Sequence, residues 1–188
     1  MAVLQNGDLS LEMTYRRSER GGVEYDITLR WRGEPVLNDA VLKRSSAYWA
    51  NRGVGSIKTD ASDECGVLPL LQRVLETNKT GSWESEDPDI RLIIRPGSDF
   101  SFLRTGTRGE AESPEEKAHL ETFERERLER EPTLGDCWEV VLFIDAYNFE
   151  GSAGYYGSGI CYCLATTREE LQHFHEALKQ EYLLIGAH

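Results

Sequence analysis

Between Leu9 and Trp31 the chain alternates apolar and polar residues with a period of two. Leu9, Leu11, Met13 and Tyr15 share one side, and Ser10, Glu12, Thr14 and Arg16 the other. After Gly21-Gly22 the pattern resumes, with Val23, Tyr25, Ile27, Leu29 and Trp31 inward and Glu24, Asp26, Thr28, Arg30 and Arg32 outward. Successive side chains of a strand point to opposite faces, so this pattern predicts two half-buried strands joined as an antiparallel hairpin. Such a sheet needs a second layer to cover its apolar face, which excludes an all-helical fold. Gly33-Glu34-Pro35 ends the second strand, and a third strand is expected within residues 36–43.

Residues 45–66 are rich in Ser, Gly, Asn and Asp without a period, and read as a loop. Leu68, Leu71, Val74 and Leu75 recur at helical spacing, which predicts a helix over 68–78 with Gly81 just past its end. An acidic loop around Pro88 follows. Residues 90–95 read as a strand, with 99–104 as its neighbour across Pro96-Gly97. Ser113-Pro114-Glu115-Glu116 is a capping-box start with proline in the first turn. The helix that it opens, over 114–130, lies in a stretch to Glu131 with seven Glu and four Lys or Arg. Only Leu120, Phe123 and Leu128 form its apolar stripe, so it is expected on the surface, stopped by Pro132.

Residues 138–147 (WEVVLFIDAY) are apolar on both faces, as in a strand covered on both sides. Residues 149–159 read as a Gly-rich hairpin loop and 160–165 as the returning strand. Thr167 with Glu170 forms a second capping box, and Leu171, Phe174, Leu178 and Tyr182 line one face of a helix over 168–182. The expected class is α+β, mainly antiparallel sheet, with two packing helices and one charged peripheral helix. The 188 residues match one domain in size, with a charged helical insertion over 105–132.

Asp plus Glu number 33 and Lys plus Arg 21, a net charge of −12. This field repels nucleic-acid phosphates and anionic membranes and favours a basic protein partner. Residues 1–10 lack the basic and apolar regions of a secretory leader, and no apolar run reaches membrane-spanning length, so the expected address is cytoplasmic.

No G-x-S-x-G, P-loop, G-x-G-x-x-G or H-E-x-x-H pattern occurs, so no catalytic residue, cofactor or metal is expected and the chain reads as a non-enzyme. The glycines near 151–159 precede a strand, whereas a phosphate cradle opens a helix. Cys65, Cys137, Cys161 and Cys163 lack the tight C-x₂₋₄-C turns of zinc sites and read as buried or partly buried free thiols. His173 and His175, two apart on a helix, face different ways. Two carboxylate groups stand out, Asp60, Asp63 and Glu64 before the first helix and Glu84, Glu86, Asp87 and Asp89 after it. They fit plain solvation, recognition of a cationic partner, or calcium, although the calcium-loop pattern is missing. Tyr48, Trp49, Tyr155 and Tyr156 are the candidate aromatic anchors of a binding face.

The order formed by residues 8–15, 23–31, the 68–75 helix leading through an acidic loop into 90–94, and the closing 161–182 stretch resembles the immunity proteins of bacterial polymorphic and contact-dependent toxin systems, in particular the wall-associated-protein immunity group. The resemblance covers most of the chain outside residues 105–131. It implies a small, acidic, cytosolic antitoxin without catalytic residues, which binds and blocks a cognate toxin domain. A nuclease suits the charge, because nucleases are basic where they hold phosphate. Two alternatives stay open. One is a phage- or plasmid-encoded inhibitor of a host nucleic-acid-binding protein. The other is an enzymatic or small-ligand domain using the Gly/Tyr-rich loop and the cysteines.

Overall fold

A computed structural model of the protein describes residues 1–17, 23–42, 53–61, 66–85, 90–97, 113–149 and 159–186. The predicted hairpin is present as β2 (Leu9–Arg17) and β3 (Val23–Trp31), paired antiparallel from Leu9 opposite Trp31 to Arg17 opposite Val23. A strand absent from the sequence reading, β1 (Ala2–Asn6), pairs with β2 across Gly7-Asp8, where Gly7 takes φ 56°. Glycine at the first central position is what a two-residue hairpin loop asks for. On the other side of β3 lie the two-residue β4 (Glu34–Pro35) and β5 (Ser56–Ala61). The third strand expected in 36–43 is therefore replaced. Within the described part of that range only Leu42 makes an isolated bridge, to Phe149.

Helix α1 (Val67–Thr77) leads into the second sheet, β6 (Gly81–Glu84), β7 (Ile90–Pro96), β8 (Cys137–Asp145) and β9 (Gly159–Thr167), antiparallel in that order. Helix α2 (Pro114–Arg130) intervenes between β7 and β8, and α3 (Arg168–Gly186) follows β9. The fold is α+β on antiparallel sheet, as the sequence predicts. Each packing helix reaches across to the other sheet. Helix α3 packs on β1, β2 and α1, and α1 packs on β6 and β7. The Asn6 side-chain amide donates to the Ala165 carbonyl at 2.6 Å, linking β1 to β9.

The apolar sides of both sheets and the two helices form the core, from Leu11, Ile27 and Leu29 through Leu71, Val74 and Leu178 to Leu92, Trp138 and Val140. Trp31, expected inward, is instead 53% exposed at the strand end. Glu24, Asp26 and Thr28 point away from the helices as expected, yet all three are buried. Lys58 on β5 holds Glu24 at 2.7 Å, and Arg16 pairs with Asp26. Burial pushes the Asp26 carboxyl above its usual range, against the pull of the Arg16 charge and the Gly53 backbone. Buried ions persist only where partners offset lost hydration, and these pairs supply that offset.

Helix α2 packs chiefly on the 3-10 turn Pro132–Gly135, with Phe123 and Leu128 half-buried. Its sequence has almost no apolar face, so it has nothing to offer the core. At the start of α3 the capping box closes in both directions. Glu170 accepts from the Thr167 backbone N–H at 3.0 Å, and the Thr167 hydroxyl accepts from the Glu170 N–H at 3.2 Å. No helix among the described residues is long and apolar enough to cross a membrane.

Candidate functional site

The first turn of α1 is built without a local cap. Gly66 precedes it and offers no side chain. Exposed backbone N–H groups at a helix start need acceptors, and here the sheet supplies one. The Val67 N–H donates to the Tyr25 hydroxyl at 3.2 Å, and Tyr25 and Tyr15 hydroxyls lie 3.3 Å apart. Burial, reinforced by Tyr25, pushes the Tyr15 hydroxyl far above its ordinary range, so it stays a neutral donor and acceptor. The ring of Tyr25 also meets Trp83 edge-on at 5.6 Å between centroids. Tyr25 thus ties β3 to the start of α1 and to the end of β6.

This junction gathers the residues that precede the two acidic runs. Tyr25 stands opposite Thr59 in the β3–β5 register, one residue before Asp60. Asp63 and Glu64 follow in sequence and lead into Gly66. Trp83 immediately precedes Glu84. Thr59 and Trp83, each one residue before an acidic run, therefore both stand beside Tyr25. Gly81 makes the return of β6 possible. A Cβ there would lie 2.6 Å from Val74 Cγ2 and 2.7 Å from Leu70 Cδ1, so only glycine lets the strand run this close to the helix.

Two expectations need correction. Asp60, read as part of a loop, belongs to β5, with its backbone opposite Glu24. Glu84, read as part of an acidic loop, ends β6 and pairs with Arg91 at 2.7 Å on an exposed surface. The helix expected over 68–78 does end there, at Asn78, whose left-handed φ of 53° lets its N–H reach the Val74 carbonyl at 2.9 Å. Asp63, Glu64, Glu86, Asp87 and Asp89 lie outside the described residues, as do Tyr48, Trp49, Tyr155, Tyr156 and the strand expected over 99–104.

From the same junction a cleft of about 920 Å³ runs between α1 and α3. Its floor is Tyr15, Val23 and Tyr25, and its walls include Leu68, Leu75, Tyr182 and Leu183. The far end is closed by Arg168, which reaches the Leu75 carbonyl and lies over the Trp138 ring. The helices run antiparallel here, because Arg168 at the start of α3 meets the end of α1. On the wall, burial holds the His175 imidazole below its usual range, favouring the neutral form. The sequence places Leu68 in the core stripe, but α1 buries Val67, Leu70, Leu71, Val74 and Leu75 and turns Leu68 half outward into the cleft. The inward tyrosines of the first hairpin were the available signal, since a buried tyrosine hydroxyl needs a partner.

The opposite face of the second sheet has no helix among the described residues packed on it, and the thiols lie there. Cys137, Cys161 and Cys163 are exposed, a correction to the expected burial. Strand β8, expected to be covered on both sides, keeps Val141 and Phe143 half-buried on this face. The Cys163 thiol donates to Glu139 Oε1 at 2.7 Å, and its pKa is pushed up to about 11, first by burial and then by Glu139. It is therefore a poor nucleophile at neutral pH. Among the described residues no group of three metal-ligating side chains converges. No family model, curated protein or solved structure matches the chain.

Proposed function

We propose that the protein is a cytoplasmic immunity protein, an antitoxin that binds a cognate basic toxin domain and occupies the cleft where that toxin, a nuclease, holds phosphate. The reading is supported by two carboxylate-rich runs that flank α1 in the sequence, together with the apolar cleft beside that helix. Seven carboxylates fall in residues 60–64 and 84–89, in a chain whose net charge of −12 already favours cationic partners. An acidic rim next to apolar anchors is the usual anatomy of a tight, specific interface, where charge guides approach and buried apolar contact slows release. The same charge disfavours direct contact with nucleic acid or anionic membrane.

The test is coexpression with the product of the adjacent upstream gene. The reading predicts that this product halts growth alone, that growth returns on coexpression, and that the two proteins copurify as a stoichiometric complex. A toxic neighbour that is not neutralised, or the absence of any such neighbour, contradicts it.

A further inference from the structure

We infer that the open edge of β9 is a self-association site, where a second copy of the chain adds its own β9 antiparallel, about a two-fold axis at Tyr162. The inference goes beyond the antitoxin reading and does not rest on it. It starts from the phase of the backbone hydrogen bonds. The N–H of Gly97, the residue after β7, donates to the Cys137 carbonyl at 2.7 Å, so the odd-numbered residues of β8 turn their backbone groups toward β7. The even-numbered ones face β9, where Val140 stands opposite Leu164 and Leu142 opposite Tyr162. The odd-numbered residues of β9 are thereby left facing outward, and the Ala165 carbonyl does accept from the Asn6 side chain on that side at 2.6 Å. Cys161 and Cys163 are exposed, and among the described residues no strand pairs with β9 on this side. A row of unpaired backbone donors and acceptors is a template for another strand, and edges that stay single are guarded by charge, proline or shortness. Strand β9 has none of these guards. It is nine residues long, GICYCLATT, without a charged residue or proline, and Ile160 is 40% exposed beside it. A second copy fits this edge because a strand paired antiparallel with itself is self-complementary. With Tyr162 on the axis, each Cys161 bonds the other copy's Cys163, which uses the outward groups of both cysteines. Tyr162 then faces its counterpart as an aromatic cross-strand pair. No like charges meet across the strands, although each copy has a net charge of −12. To a cationic partner strand β9 offers no carboxylate, and Glu139, opposite Ala165 on β8, is already engaged by Arg95 and by the Cys163 thiol.

The test is sedimentation equilibrium of the full chain in reducing buffer, over a range of protein and salt concentrations. The chain is expected to form a dimer at ~100 μM that dissociates on dilution. Dimerisation should tighten as salt is raised, because screening relieves the repulsion between two acidic copies, whereas capture of a cationic partner would weaken. Cys161→Pro removes an N–H that faces away from β8, a place where an edge strand tolerates proline. It should unfold cooperatively like the parent and dimerise about tenfold or more less tightly. Cys161→Lys/Cys163→Lys changes only exposed side chains and covers the case in which the proline variant fails to fold. It sets lysine opposite lysine across the axis and should weaken the dimer as much, even though it lowers the overall negative charge. A parent that stays monomeric, a dimer that loosens with salt, or a dimer unchanged in both variants overturns the inference. A monomeric parent whose toxin complex is lost in these variants would give the edge to a strand of the toxin, which overturns the inference and leaves the antitoxin reading standing. A dimer that depends on β9, in a chain that neutralises no toxin, does the reverse.

Discussion

The behaviour of single residues here follows from which polar atoms the fold must satisfy. Tyr25 illustrates this, because its hydroxyl accepts the Val67 N–H at 3.2 Å and stands 3.3 Å from the Tyr15 hydroxyl. In Tyr25→Phe the ring contact with Trp83 survives while a buried N–H loses its acceptor. That change should cost about 1–3 kcal/mol, the penalty for an unmade buried hydrogen bond. It is read as a lower denaturant midpoint with an unchanged slope, and an unchanged midpoint would show that the helix start is satisfied elsewhere. Glu170 gives a prediction in pH. Its carboxyl is held below the usual range, first by the Thr167 N–H and then by the Thr166 hydroxyl. A group whose pKa is lowered by folding stabilises the fold fully above its unfolded pKa, and that contribution fades as pH falls through the lower folded value. Glu170→Gln should therefore destabilise the protein at neutral pH and narrow its gap to the parent as the solution is acidified below about pH 4, the region of an unperturbed glutamate. A gap that stays constant through that range would contradict the assignment.

At the scale of elements, legibility followed periodicity. Strands β2 and β3 and helix α3 carry long regular patterns with their own caps, and the sequence places all three within a few residues. Strand β1 is five residues long with only Ala2 and Leu4 turned inward, too few to mark a period, although Asn6-Gly7 is a turn signal in plain sight. Strand β5 was hidden because its residues, Ser56, Lys58 and Thr59 among them, are polar and yet buried. Hydrophobicity cannot reveal a strand whose outer face is held by an ion pair such as Lys58–Glu24. Strand β6 is short and rests on the closeness that Gly81 permits, a tertiary property. The cleft was invisible for a related reason, since apolar residues that line a groove and those that fill a core have the same spacing along a helix. Helix α2 is the element whose role reads directly from its sequence. Replacing residues 106–131 by a short Gly-Ser linker should leave cooperative unfolding intact. The loss should be no more than about 2 kcal/mol, since Phe123 and Leu128 are the only half-buried apolar side chains among its described ones and a fully buried apolar side chain contributes about 1.5–3 kcal/mol. Loss of the cooperative transition would make α2 structural.

For the whole molecule, the proposed antitoxin reading assigns steering and grip to different parts. Two sheets, each covered in part by the helix that follows the other, place Tyr25, the start of α1 and the end of β6 together, and with them the departure points of both acidic runs. Exposed carboxylates act at a distance and are screened by salt, with a Debye length of about 10 Å at 0.1 M and about 3 Å at 1 M. The apolar cleft acts only on contact and is insensitive to moderate salt. On the proposed antitoxin reading, charge in the two acidic runs should therefore govern how fast a basic partner arrives, and the cleft how slowly it leaves. The most direct test is the association rate with the copurifying toxin domain as a function of ionic strength, for the parent and for the variant Glu84→Gln/Glu86→Gln/Asp87→Asn/Asp89→Asn. The account predicts that the parent's rate falls steeply with salt. The variant should associate at least about tenfold more slowly at low salt, with a flatter dependence and a dissociation rate changed far less. Coincident curves for the two proteins would contradict it.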